Sequence, residues 1–461
     1  MKIESSLSNK SLLLIQGCLF TFISLLFLKS AISSYLLAGI VGLAVVGLLI
    51  FKFPSLVFPA FIISLFWGHL FYRTTEFGVT ISDPIFVLSF IAYISTVINP
   101  KINRSQTDNN SKTLTIFFIL LIASLILSLL VNASVLPDRY LCFGAVKSAY
   151  MIQYLLAFVM VNWLYFPDKG QKILNFIYLL SLLQFPIALY QFFFTGGLSS
   201  DEINRDIIGS MSYHHGMLGT FMLIPFFLTI GQARISQRKA LRVGYWAMAI
   251  VFLFLVILSG TRSALVGLFI SAAIFMVLNL KLRRNNLKYV FLLLLAAIAV
   301  YYMTPVKHLV NATFNGSSNM VDISSLGRLL MWESALSYFI SSDLLQKLFG
   351  VGFGCFFLIP QKYVVFDGLR HSFGAHNNFL NILCETGIIG LASFVTFFII
   401  ALRILYKRKH PLALSFFYAT IALLFSGITQ ETFWVTTAFH NLWLFYMVIF
   451  ALILKISNIQ E

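Results

Sequence analysis

Apolar residues along this chain come in blocks long enough to cross a bilayer, which takes about 20 residues in a helix. The blocks fall near residues 12–28, 35–51, 54–71, 83–98, 113–131, 147–165, 172–194, 214–232, 243–260, 263–280, 288–304, 376–402, 411–429 and 434–454. Short polar or basic turns separate most of them. Pro54, Pro84 and Pro411 stand at or near block starts, where a missing N–H does least harm to a helix. The pattern predicts an all-α polytopic membrane protein with about 12–14 transmembrane helices. The blocks at 54–71 and 83–98 are the weakest members of the set. Lys2 and Lys10 precede the first block, and no small-residue cleavage site follows it, so it reads as a first spanning helix.

Composition agrees with the pattern. Hydrophobic residues make up 59% of the 461 and charged residues only 10%, against about 25% charged in soluble domains. The net charge of +16 could suggest nucleic acid, but its distribution gives another reading. With both termini on the cytoplasmic side, the clusters at 234–242, 281–288 and 403–410 all fall on that side. This is the positive-inside pattern of an inner-membrane protein. Cys18, Cys142, Cys355 and Cys384 show no metal-binding or disulfide spacing.

On the opposite, periplasmic side three segments carry polar groups: 195–213, the tip at 260–263, and a large loop at about 305–375. A connection of that length usually has a function of its own. It holds an amphipathic stretch from Leu326 to Phe339 and a glycine-rich turn, Gly350-Val351-Gly352-Phe353-Gly354. These glycines lack the Lys-Ser/Thr of a phosphate loop and read as a turn. The expected organisation is N-terminal helices over 1–204, a catalytic region over 205–403 containing the loop, and C-terminal helices over 404–461.

The densest polar run inside an apolar block is His376-Asn377-Asn378-Phe379-Leu380-Asn381-Ile382-Leu383-Cys384-Glu385-Thr386-Gly387-Ile388-Ile389-Gly390. Read as one helix, it aligns Asn377, Asn381 and Glu385 on one face. It also places Glu385 roughly 14 Å deeper than His376, at 1.5 Å per residue. Ionisable groups at membrane depth mark function unless another part of the protein satisfies them. Arg262, in Ser259-Gly260-Thr261-Arg262-Ser263, and Arg328, in Leu326-Gly327-Arg328-Leu329, offer permanently charged forks suited to an anion such as phosphate. His376 suits a general base. Of His214 and His215, adjacent and so poorly arranged for a shared metal, one is a candidate ligand contact. Glu431 reads as a solvated carboxylate near a helix end.

Taken in order, LSGTRSA, SSLGRLLMW, LFGVGFG and HNNFLNILCETGIIG resemble the O-antigen ligase and O-antigen polymerase superfamily over about residues 205–400. This superfamily of membrane glycosyltransferases also includes protein O-oligosaccharyltransferases. The resemblance implies a GT-C-like membrane fold and an undecaprenyl-diphosphate-linked glycan donor. It implies a glycan or lipid A-core acceptor, possible pairing with a chain-length regulator, and no metal or nucleotide. It assigns Arg262 and Arg328 to the diphosphate, and His376 to the acceptor hydroxyl. His215, Asn377 and Glu385 are the further substrate contacts expected on that basis. The ligase pattern ends in Gly-x-x-Thr, whereas here Gly387 is followed three residues later by Gly390. That departure, with the larger helix count, favours a polymerase over a ligase. A transporter of lipid-linked oligosaccharide or of a small anion is the alternative of a different class. Paired broken helices in two matching halves would mark it, and no such repeat is evident.

Overall fold

The structure, a computed structural model, describes residues 57–66, 83, 85–91, 109–163, 170–194, 209–210, 215–279, 323–359, 374–433 and 440–459. The blocks at 12–28, 35–51 and 288–304 lie outside the described residues. The helices are α1 (Val57–Phe66), α2 (Asn109–Val131), α3 (Asp138–Trp163), α4 (Gly170–Phe194), α5 (His215–Ile235), α6 (Lys239–Leu258), α7 (Arg262–Asn279), α8 (Ile323–Ser341), α9 (Leu344–Phe349), α10 (Asn378–Lys407), α11 (Pro411–Ser426) and α12 (His440–Ile459). A short helical segment at 85–91 adds to these. Seven of the helices are long and apolar enough to cross a membrane; α7 and α11 are shorter apolar helices. Every regular element among the described residues is helical. The protein is an all-α, multi-pass membrane protein.

The core gathers around α12, which is buried over almost its whole length. Trp443 and Tyr446 of α12 pack against Phe433 at 5.0 Å each. Tyr154 of α3 stacks on Trp443 at 5.5 Å, and Phe416 of α11 stacks on Tyr446 at 5.1 Å. At the basic end the buried Arg408 donates to the Leu454 carbonyl and the Ser457 hydroxyl near the C-terminus of α12, where a helix dipole favours a cation. Several hydroxyls within the apolar helices bond back to their own turns. Ser181, Thr220 and Thr229 reach the carbonyls of Ile177, Gly216 and Pro225, which satisfies their donors within their own helices.

Helix α10 is not one rod. Gly387 has φ 67° and ψ −167°, and the helical path breaks there. In a straight helix, Phe379 and Phe394 would lie roughly 22 Å apart. Their ring centroids are 6.0 Å apart. The arm at 378–386 therefore folds back along the arm at 388–407. Two helix contacts give the direction. In the longer arm, Phe397 packs on Phe118, midway along α2. At the break, Ser128 near the far end of α2 donates to the Glu385 carbonyl at 2.7 Å. Glu385 thus lies towards the end of the bundle opposite the basic loops, and Asn378 lies deeper. This reverses the straight-helix expectation for His376 and Glu385.

The bend is held by backbone packed on backbone. A Cβ on Gly387 would strike the Leu348 carbonyl and the Phe349 amide, and one on Gly350 would strike the backbone of Glu385 and Thr386. Both glycines also have positive φ, at 67° and 72°. The glycine-rich turn after α9 lies across the break. There the Glu385 carboxylate accepts the Gly354 N–H at 2.6 Å and the Phe356 N–H at 3.2 Å. The Val351 and Gly352 N–H groups bond the Cys384 and Glu385 carbonyls at 3.0 and 3.1 Å. Substituting Gly387→Ala is expected to lower the thermal midpoint of the detergent-solubilised protein, since strain at such a position costs about 1–3 kcal/mol before any clash. Fluorescence-detected size-exclusion after heating reads this directly; an unchanged midpoint would show that the close approach is not required.

Candidate functional site

The deep end of the folded-back arm carries a polar turn at 374–378. Asn377 caps the arm: its Oδ1 accepts the Phe379 and Leu380 N–H groups at 2.9 and 3.1 Å, which supplies acceptors for two orphan donors. Asn378 is fully buried. Its backbone N–H reaches the Gly427 carbonyl at 2.8 Å. Its side chain donates to the Thr432 hydroxyl at 3.0 Å and accepts from the Phe433 N–H at 3.2 Å. Asn381 accepts the Ala375 N–H at 2.6 Å and donates to Glu431 at 3.1 Å. His376 itself has φ 49°, a left-handed conformation uncommon outside glycine. Such strain persists only where the surroundings over-determine it, and it clusters at functional sites.

Glu431 is one of the groups that hold it. Its Oε1 accepts the His376 backbone N–H at 3.3 Å as well as the Asn381 amide, and the residue is buried. The expectation of a solvated carboxylate is therefore corrected. The turn that bears Glu431 tucks under the folded-back arm, so the carboxylate points inward.

Helix α8 covers the span expected to be amphipathic. Met331, Ser334 and Ala335 are buried, whereas Leu329, Leu336 and Ile340 are exposed. Trp332 Nε1 donates to the Ala375 carbonyl at 2.8 Å, which fastens this helix beside His376. Arg328, half-buried, stands one turn before Trp332 on the same face. Arg262 opens α7. That helix runs antiparallel to α11: Gly267 abuts Ala422, and the Ser271 hydroxyl donates to the Tyr418 carbonyl at 2.7 Å. Continuing this register five residues beyond Gly267 puts Arg262 level with Gly427, the partner of Asn378. The topology thus brings Arg262, Arg328 and His376 to one level of the bundle, around the 427–433 turn and deeper than Glu385.

The remaining candidates are Glu385, Asn377 and the histidine pair at 214–215. The Glu385 carboxylate is fully buried and bonded to the glycine-rich turn. It braces the break and does not continue a polar wall down from His376. Asn377 spends its side-chain oxygen on the cap. His215 opens α5, and its side chain lies outside the described residues, as does His214. Under the turn, burial, reinforced by Glu385 nearby, pushes the Cys355 thiol up to about 12. It is a packing group, since a thiol reacts as its thiolate.

Residues 247–395 match the family model described as O-antigen ligase. The matched stretch contains Arg262, Arg328 and His376 and ends within the longer arm of α10. Glu431 lies outside it. The match bears out the resemblance to the O-antigen ligase and polymerase superfamily and supports a glycosyl-transferring membrane enzyme. No curated protein matches this chain.

Trp332→Phe keeps the ring and removes the bond to Ala375. It is expected to reduce turnover by up to about tenfold, the worth of one neutral hydrogen bond, with the protein level unchanged. Initial rates on purified protein check this, and full activity would mean that the tie does not help to place α8.

Proposed function

We propose that the chain transfers a glycan from an undecaprenyl diphosphate carrier to an acceptor hydroxyl, on the side of the membrane opposite the basic loops. In an inner membrane oriented by those loops, that side is the periplasm. The observation that carries this reading is the Trp332–Ala375 bond. It sets the helix of Arg328 against the strained His376 turn inside the stretch that matches the O-antigen ligase family.

The chemistry follows from the residue types. The acceptor oxygen attacks the anomeric carbon as the bond to the diphosphate oxygen breaks, with inversion at that carbon. His376 takes the hydroxyl proton. Arg262 and Arg328 stabilise the charge that builds on the departing diphosphate, a role for preorganised cations. Glu431 accepts the His376 N–H and Asn381 accepts the N–H of Ala375 beside it, which holds this turn in place. This chemistry needs neither metal nor nucleotide.

Polymerisation of surface-polysaccharide repeats is the reading favoured by the departure from the Gly-x-x-Thr pattern at Gly390. The family description itself keeps ligation to lipid A-core as the second reading. Deleting the gene separates them. A polymerase is expected to leave core capped with single repeats and no ladder. A ligase is expected to leave bare core and accumulated lipid-linked polymer. Arg262→Ala, Arg328→Ala and His376→Ala should each lower product at least about a hundredfold without loss of protein from the membrane. Full activity in all three would overturn the assignment.

A further inference from the structure

The face of α6 that turns away from the bundle carries charged and apolar groups in an ordered line. This helix is the least buried of the seven that are long and apolar enough to span. Lys239, Val243, Trp246 and Ile250 are all exposed. They stand at i, i+4, i+7 and i+11, which puts them on one face. The line covers roughly 16 Å at 1.5 Å per residue, about half of a hydrocarbon core of about 30 Å. It therefore runs from the headgroup level to near the bilayer centre, through one leaflet. Arg238 and Arg242, both exposed, flank its charged end.

Helix stability does not account for these cations. Arg234 is a contrast: it lies in the last turn of α5, where the dipole favours it, and over the Phe275 ring at 5.1 Å. Arg238, Lys239 and Arg242 cluster where α6 begins, and a cation gains nothing from the dipole there. The first turn of α6 holds no acidic residue. Among the described residues none of the three forms an ion pair with an acid. The Arg242 guanidinium donates from Nε and Nη2 to the Ser236 carbonyl at 3.3 and 3.0 Å, which fixes its fork across the α5–α6 turn. Helix α4 adds a further charge. The Tyr245 hydroxyl donates to Asn175 at 3.3 Å, and Phe254 packs on Phe185 at 6.0 Å, so α4 and α6 run side by side in the same direction. That register sets the exposed Lys172 level with Arg242.

We propose that this face binds an anionic phospholipid of the leaflet on the basic side. Its headgroup lies among Arg238, Lys239, Arg242 and Lys172, and an acyl chain follows Val243, Trp246 and Ile250. The positive-inside pattern explains the sign of these residues, but not their alignment with a tryptophan and an apolar line one leaflet long. Charge complementarity selects the occupant. A zwitterionic lipid brings no net charge to the cations. A second copy of the chain, related by a two-fold axis, would set the same cations against one another. An anionic headgroup is attracted by each of them. The site stands apart from the His376 turn and does not depend on the glycosyl-transfer reading.

The experiment uses purified full-length protein, stripped of lipid in mild detergent and titrated with phosphatidylglycerol or phosphatidylethanolamine. Native mass spectrometry counts the lipid retained. Phosphatidylglycerol is expected to bind at least about tenfold more tightly. Arg238→Gln, Lys239→Gln and Arg242→Gln together should remove that preference. Arg403→Gln, Lys407→Gln and Lys409→Gln together delete three exposed cations elsewhere on the basic side and should keep it. Chain-brominated lipids give a second measure with every charge in place. The phosphatidylglycerol form should quench tryptophan emission more than the phosphatidylethanolamine form, and Trp246→Phe should abolish the difference. Equal retention of the two lipids by the parent, or equal loss in the two triple variants, would overturn the proposal and leave an ordinary lipid boundary with diffuse charge. A dimer that takes up no added lipid would overturn it in favour of a second copy.

Discussion

At Gly387 the chain turns back on itself through a conformation that side chains resist, at a point where there is also no room for one. Leu348 and Phe349 occupy the space a Cβ would need. Below the break, the longer arm of α10 is an ordinary apolar helix packed on α2 and α11. Before it in the chain, the arm at 378–386 runs back alongside and points its N-terminus into the bundle. The glycine-rich turn after α9 closes over the break, and the Glu385 carboxylate fastens that turn by two backbone N–H groups. The depth of His376, its strained backbone and its proximity to α8 all follow from this bend. A straight α10 would leave His376 at the rim, away from Glu431 and Trp332.

Most polar side chains in this region serve geometry. Asn377 caps, Asn378 and Thr432 join α10 to the turn after α11, and Asn381 and Glu431 fix the residues before the cap. Each such group, buried without a partner, would cost about 1–3 kcal/mol, so together they define one arrangement and penalise others. What they hold up is small: one histidine, with two arginines delivered to the same level by α7 and α8. Such a division suits the transfer proposed above, which asks for placed charge and one proton acceptor.

The membrane class and the helix pattern were legible in the sequence because apolar length and basic loops report directly on the bilayer. The helical span of α8 was legible, but not its faces: Leu329, Leu336 and Ile340 are exposed, so the helix does not carry the apolar-in, polar-out pattern expected of it. Arg262, Arg328 and His376 stood out as polar groups in motif order, and the fold brings them to one level around the 427–433 turn. The course of α10 was not legible. Its apolar periodicity runs through Gly387 without interruption, and a glycine inside a helix more often stays helical than reverses the chain. The misplaced depth of Glu385 came from that. Glu431 was missed because a carboxylate near a helix end is normally solvated, and only the folded-back arm covers it.

The bend in α10 can be measured without knowing any substrate. In a protein whose native cysteines have been replaced, Phe379→Cys and Phe394→Cys are introduced together and treated in membranes with a short bifunctional thiol reagent of about 8 Å reach. The rings at these positions lie 6.0 Å apart, so an intramolecular cross-link is expected, detected by protease digestion at a site between them. A continuous helix would hold the positions roughly 22 Å apart. Failure to cross-link, while a control pair four residues apart on the longer arm links readily, would contradict the folded-back arm and the placement of His376 that depends on it.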